Sequence, residues 1–279
     1  MDIRLNEKAE LRVFKEAAYV AFSGWNVPER VKYGYSTRLL GASKGIYASM
    51  NLGQNRGDDP ACVMENYRRI CGAIGLPTGR LVLSKQVHLC HVQKVTAADA
   101  GNGFFRENRF DDADALMTDE KDVPLVIFTS DCVPVFLYDP VHPAIALVHA
   151  GWRGTVGGIV RNTIEAMQRE YGTNPEDVLS AIGPSICRQC FEIGPEVAEQ
   201  FETAFSGHTG EVLFTGEGDR SYADLWRANE LMLLSAGVRP DHITVSGLCT
   251  MCRPDLFFSH RATGGRRGSN AGFLMLSEE

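Results

Sequence analysis

A chain of 279 residues that is 44% apolar and carries a net charge of −7 has enough hydrophobic residues for one large core or two small ones. The acidic balance argues against a nucleic-acid partner, which needs a basic footprint, and no run approaches the ~20 apolar residues of a membrane-spanning helix. Residues Met1 to Lys8 are polar and mixed in charge, without the apolar core of a signal peptide, which predicts a cytoplasmic protein.

In chain order, Pro60 to Ile74 predicts the first helix. Leu81 to Val87 reads as a strand that runs into His88, and Gly101 to Asp114, polar and aromatic, reads as a long surface loop. Val123 to Phe128, Val133 to Tyr138 and Ala144 to His149 are apolar runs of strand length. A helix is expected over Gly157 to Tyr171: Val156, Ile159, Val160, Thr163, Ile164 and Met167 recur at helical spacing, with Arg161, Glu165 and Arg169 on the other face. Then follow a strand at Leu179 to Ile182, a helix at Pro195 to Phe205, a helix at Ala223 to Ala236 with Asp224 as its cap, and a strand at Ile243 to Val245. Gly53, Gly57, Gly101, Gly103, Gly207 and Gly210 mark loops. With no linker and no repeat, residues 1–279 read as one α/β (α+β) domain with a mixed sheet.

Chemistry gathers where apolar runs end. His88 follows one run, Cys132 lies just past another in Thr129-Ser130-Asp131-Cys132, and His149 closes a third. Two imidazoles and a thiolate suit Zn²⁺ and leave a fourth coordination position for water or substrate. Cys132 with His149 also suits a nucleophile and its base. His91 competes with His88 for its role, and Cys90 with Cys132; His88 is preferred because it ends its run directly. Asp114 and Asp131 are candidates to orient a ligating histidine or relay a proton, and Glu192 is a third.

Eight cysteines in a reducing compartment argue for metal ligation, catalysis or burial rather than disulfides. Cys187-Arg188-Gln189-Cys190 and Cys249-Thr250-Met251-Cys252 are Cys-x-x-Cys pairs far apart in sequence; they read as two pairs of packed thiols in preference to a second, structural zinc site. Gly151-Trp152-Arg153-Gly154, between a strand and a helix, offers free N–H groups and a guanidinium to phosphate or carboxylate. Lys85, Arg261, Arg266 and Arg267 are the further cations near these motifs, with a solvated loop a better account of Arg267 than of Arg153 or Arg261. No Walker loop and no GxGxxG occurs, which argues against a nucleotide-triphosphate or dinucleotide enzyme.

The motifs KQVH (85–88), DADALMT (112–118), TSDCVPV (129–135), LVHAGWRG (147–154), AIGPSI (181–186), FEIGPEV (191–197) and FFSHR (257–261), in this order, resemble the laccase-domain family. That family is also called multicopper polyphenol oxidoreductase or peptidoglycan editing factor, and the resemblance spans about Tyr33 to the C-terminus. It implies a purine nucleoside phosphorylase that takes phosphate and adenosine, inosine, guanosine or methylthioadenosine, with adenosine deaminase activity beside it. It implies zinc on His88, Cys132 and His149, and a single domain of mixed sheets packed between helix layers (αββα), related in shape to a bacterial toxin deamidase. Lys85, Arg153 and Arg261 lie in motifs the family uses around its pocket. Where many members carry Thr-Gly-Arg, this chain has Gly264-Gly265-Arg266-Arg267, so Arg266 and Arg267 are alternatives, with Arg266 assigned to the phosphate site.

Three rival readings stand beside this one. The older family name implies a copper-dependent phenol oxidase, but the chain has only seven histidines and no His-x-His pairs; copper binding to the Cys and His donors would then be secondary. A metal-free Cys132/His149 hydrolase and a non-enzymatic, zinc-stabilised nucleotide-binding protein are the others. The nucleobase-deaminase signature, His-x-Glu with Pro-Cys-x-x-Cys, is absent, so the sequence does not name a general acid or base for deamination.

Overall fold

The computed structural model describes residues 2–54 and 56–278. Its strands are β1 (Asp2–Arg4), β2 (Glu10–Val13), β3 (Ala18–Ala21), β4 (Val31–Ser36), β5 (His91–Lys94), β6 (Ala113–Thr118), β7 (Leu125–Thr129), β8 (Val133–Asp139), β9 (Ala144–Ala150), β10 (Leu179–Ile182), β11 (Glu192–Ile193), β12 (Leu213–Thr215), β13 (Ser221–Ala223), β14 (Ile243–Val245) and β15 (Asn270–Leu276). Its helices are α1 (Pro60–Ile74), α2 (Trp152–Val156), α3 (Ile159–Tyr171), α4 (Pro195–Ala204), α5 (Thr209–Val212), α6 (Leu225–Ser235) and α7 (His260–Thr263). This is a mixed α/β fold with two six-stranded sheets, ordered β1-β2-β3-β4-β15-β7 and β14-β10-β8-β9-β6-β5, and a small sheet β11-β13-β12. Among the described residues no helix is long and apolar enough to cross a membrane.

The period-two alternation of buried strands sets the layers. Along β8, Phe136 and Tyr138 join Ile145 and Leu147 of β9 against Leu11, Val20, Tyr35, Ile127 and Leu274 of the other large sheet. The alternate residues Val133, Val135, Leu137, Ala146 and Val148 face away, onto Ile159, Val160, Ile164 and Met167 of α3 and onto Phe201 and Leu233 of α4 and α6. The outer face of the first sheet, with Tyr19, Ala21, Val126 and Phe273, packs on Val63, Tyr67, Ile70 and Ile74 of α1. The two large sheets therefore face each other, with helices on both outer sides.

Local signals fix most helix ends. The Asp59 carboxylate accepts from the N–H of Ala61, Pro60 takes the first turn, and Gly75 closes α1 at φ +85°. Asp224 caps α6 by accepting from Arg227. The helix expected from Gly157 starts instead at Ile159, because Gly158 sits at φ +81° and separates it from the short α2. Two expectations change. Leu81 to Val87 is extended but makes only one isolated bridge, Val82 with Leu125, and is no sheet strand. The expected loop from Gly101 ends before Asp114, which lies fully buried inside β6.

Candidate active site

The pairing registers bring three segments to one end of the sheets. β6 pairs Ala115 with Val148 of β9, which sets Asp114 opposite His149; their side chains meet at 2.7 Å. β8 pairs Val133 with Ala150, which sets Cys132 opposite Gly151. The Asp114 carboxylate also accepts from the backbone N–H groups of Val87 (3.1 Å), His88 (3.0 Å) and Leu89 (2.8 Å). One carboxylate thus aims His149 and pins the turn that presents His88, whose backbone is held at φ +64°.

The donor atoms of His88, Cys132 and His149 lie within 4.8 Å of one another. The two imidazoles meet edge to face, with centroids 4.7 Å apart. Because Nδ1 of His149 is engaged by Asp114, its Nε2 is left for the thiol side. Gly151 makes room: a Cβ there would lie 2.8 Å from Cδ2 of His88 and 3.3 Å from Sγ of Cys132. The rival residues are elsewhere. His91 pairs with Asp112 at 2.7 Å on the surface, and the Cys90 thiol points at the carbonyl of Gly154.

Electrostatics in this group run one way. Burial acts to raise the Cys132 pKa, but the charges and hydrogen bonds of His149 and His88 override it and bring the thiol down to about 6. Burial acts to lower His149, yet Cys132 and Asp114 raise it to about 9. Burial likewise opposes ionisation of Asp114, and the bond to His149, aided by the N–H groups of Leu89 and Val87, holds its carboxyl below the usual range. Two nitrogen donors and a thiolate, one imidazole fixed through its far nitrogen by a carboxylate, could hold a metal ion such as zinc and leave a coordination position open.

These residues floor a cavity of about 430 Å³, within the size range of small-molecule sites. Among the described residues, four arginines line it, Arg56, Arg153, Arg261 and Arg267, against a single carboxylate, Asp131. That carboxylate is already occupied, accepting from Thr250 Oγ1 (2.6 Å), Ser259 Oγ (3.1 Å) and the N–H of Arg261 (2.7 Å). Among the described residues the Arg153 guanidinium makes no ion pair; it lies 4.2 Å from the ring centroid of Trp152. Arg267 donates to Gly268 O and Ser269 Oγ, while its buried Nε has no partner. Burial, with the nearby Arg56 charge second, pushes its guanidinium down to about 10. Arg261 donates to the carbonyl of Glu192 and lies over Phe191.

Lys85 and Arg266 are not part of this lining. Ser84 and Gln86 face the cavity, so Lys85, between them on extended backbone, projects to solvent; Arg266 is likewise exposed, one residue before the arginine that turns inward. Glu192 does not line the cavity: its carbonyl accepts from Arg261 and its carboxylate from the Tyr222 hydroxyl. Arg56 is the cation that sequence reasoning missed, and Arg267, weighed there as the alternative to Arg266, is the one that lines the cavity. Asp131 orients no histidine and ties loops together instead. Elsewhere, the sulfurs of Cys187, Cys190, Cys249 and Cys252 come within 4.8 Å of one another, a set that can hold a metal ion such as zinc.

Residues 32–277 match the family model described as multi-copper polyphenol oxidoreductase laccase. The purine nucleoside phosphorylase YlmD of Geobacillus stearothermophilus is 38% identical over 248 residues, covering 88% of this chain and 90% of that one. The adenosine deaminase RL5, from an unknown prokaryotic organism, is 34% identical over 248 residues, 88% of this chain and 92% of its own. The crystal structure of the hypothetical protein YfiH of Bacillus licheniformis superposes with a TM-score of 0.89 at 30% identity, over 96% of this chain and 99% of that chain.

Proposed function

This chain belongs to the multi-copper polyphenol oxidoreductase laccase family, and from that membership and the charge of its pocket we propose that it is a zinc-containing purine nucleoside phosphorylase with adenosine deaminase as a side activity. Relatives named purine nucleoside phosphorylase and adenosine deaminase support both halves of the reading. The observation that carries the phosphorolytic half is the imbalance of four guanidiniums against one saturated carboxylate in a chain of net charge −7. Such a cavity is built for a dianion.

In this reading Arg153 is the principal phosphate ligand, with Arg56 and Arg267 beside it and Arg261 at the rim. A phosphate oxygen forms a bond to C1′ of the ribose, the C1′–N9 bond breaks, and the electron pair leaves on the purine. The cations hold the phosphate against C1′ and balance its charge during transfer. Ile186, Phe191 and Leu225 give the cavity an apolar wall suited to the base. His88, Cys132 and His149 would hold zinc, which supplies Lewis-acid chemistry at a position open to the cavity. Deamination uses the same cavity with water in place of phosphate. An oxidase built on clustered imidazoles is less well supported, since among the described residues only His88 and His149 of the seven histidines form part of a candidate metal cluster.

One observation favours a second reading. Cys132, His149 and Asp114 form a thiol–imidazole–carboxylate line with the thiol lowered to about 6, the arrangement of a cysteine nucleophile and its base. Turnover of adenosine, resolving adenine from inosine at varied phosphate, separates the readings. Adenine release that rises with phosphate and saturates supports phosphorolysis. Adenine release indifferent to phosphate, abolished by alkylating Cys132 in metal-free protein, supports the hydrolase.

A further inference from the structure

The two Cys-x-x-Cys pairs stand outside the chemistry above, and the fold brings them together. β10 and β14 pair in parallel, Ile182 with Val245, so the loops that follow them start side by side. The pairing continues past the strands as a bridge between Ser185 and Cys249. Each Cys-x-x-Cys then turns back on itself: the N–H of Cys190 donates to the carbonyl of Cys187 (3.0 Å), and that of Arg253 to the carbonyl of Cys249 (3.1 Å).

The result is a cluster of four sulfurs within 4.8 Å of one another, with Cys190 and Cys252 at 3.4 Å. Four thiolates around zinc at ~2.3 Å lie ~3.8 Å apart along the tetrahedral edges, so the cluster matches in number, element and spacing. Two backbone N–H groups, of Cys187 (3.3 Å) and Cys252 (3.4 Å), point at Sγ of Cys249. Such bonds favour the thiolate form that a metal requires. Packing alone explains the cluster poorly: Cys187 and Cys249 are buried, but Cys190 is half-buried and Cys252 is exposed.

We propose that Cys187, Cys190, Cys249 and Cys252 hold a structural zinc ion as a closed tetrathiolate, and that this centre fastens together the two loops that grip Asp131 beside Cys132. Zn²⁺ displaces the thiol protons to solvent on binding and leaves no open position for substrate. Its influence on the pocket is positional. Next to Cys187, the N–H of Ile186 donates to the carbonyl of Asp131 (3.0 Å); next to Cys249, the hydroxyl of Thr250 donates to its carboxylate (2.6 Å). Ile186 and Phe191, on either side of the first pair, line the cavity.

The test is metal content in two backgrounds, independent of the His88/Cys132/His149 site. Cys132→Ala protein, loaded with zinc and passed through gel filtration, should keep one equivalent of zinc, and adding Cys190→Ser and Cys252→Ser should remove it. Cobalt loading of the unsubstituted chain gives a second readout that does not depend on those variants folding. Its thiolate-to-cobalt charge-transfer absorption should have the intensity of several thiolates, and Cys132→Ala should remove only a minor share. Hydrogen exchange over residues 183–191 and 246–259 should quicken when a chelator strips this metal. Cys132→Ala protein that retains no zinc, cobalt absorption that vanishes with Cys132, or an intact mass showing the four thiols as two disulfides in protein kept free of oxidants would overturn the proposal.

Discussion

Replacing Asp114 by Asn tests the strut on which the site stands. The carboxylate accepts four hydrogen bonds, from the His149 ring and from the N–H groups of Val87, His88 and Leu89. An amide keeps one acceptor oxygen and replaces the other with a donor. With its oxygen towards His149 and His88, the NH₂ group faces the N–H groups of Val87 and Leu89, and both bonds are lost. A bond to a charged acceptor contributes ~1.5–3 kcal/mol, and a stranded donor costs ~1–3 kcal/mol. Leu89 is 56% exposed and its N–H can turn to water, which places the loss near the lower end, roughly 2–4 kcal/mol in all. At ~2–4 °C per kcal/mol for chains of comparable size, Tm should fall by roughly 5–15 °C. In the opposite orientation the NH₂ donates to Nδ1 of His149 and forces the ring proton onto Nε2, the nitrogen that faces Cys132. Either way zinc affinity should drop roughly 10–100-fold. Thermal denaturation of metal-free protein reads the first effect, and competition against a chromophoric chelator the second. A variant with unchanged Tm and unchanged zinc affinity would refute the assignment of Asp114 as the shared support.

Arg153→Lys keeps the charge but loses the planar fork, so the phosphate KM should rise roughly tenfold or more; zinc content should hold, and deamination should suffer less than phosphorolysis. Equal loss of both activities would remove Arg153 from the phosphate site. Gly151→Ala puts a methyl 2.8 Å from the His88 ring and should weaken zinc binding roughly tenfold without altering a ligand, measured by the same chelator competition; unchanged affinity would show that His88 moves freely. Alkylation of Cys132 in metal-stripped protein, read as the difference from Cys132→Ser, should persist above a pH of about 6 and fall away below it, because the thiolate is the reactive form and His149 and His88 lower its pKa. A midpoint near the ordinary thiol value of about 8.5 contradicts that coupling.

The candidate metal-ligand trio was legible in the sequence because each member ends or follows an apolar run, and runs of strand length bring their ends to a common edge. Asp114 was harder to weigh: it sits in the alternating stretch Asp112-Ala113-Asp114-Ala115, which looks like a loop entering a strand, and only the β6–β9 register puts it opposite His149. The cations proposed for phosphate divide on a matter of parity. Lys85 neighbours His88 in sequence, but extended backbone sends alternate side chains to opposite sides, so Ser84 and Gln86 face the cavity and Lys85 does not. The same one-residue uncertainty separates exposed Arg266 from inward-facing Arg267, which directly precedes Gly268-Ser269 and the interior strand β15. Arg56 carried no signal beyond a flanking glycine. The four cysteines looked like two distant pairs because sequence separation conceals the parallel pairing of β10 with β14. The strands β1 to β3, each of three or four residues, are too short for alternation to stand out from chance.

Phosphorolysis requires the cavity to deliver phosphate, and not water, to C1′. Incubating the zinc-loaded protein with adenosine and heavy-oxygen-labelled phosphate, and analysing the sugar product by mass spectrometry, tests this most directly. The account predicts ribose 1-phosphate that retains all the labelled oxygens, formed in equal amount with adenine. Unlabelled free ribose beside adenine, or inosine as the sole product at saturating phosphate, would contradict it.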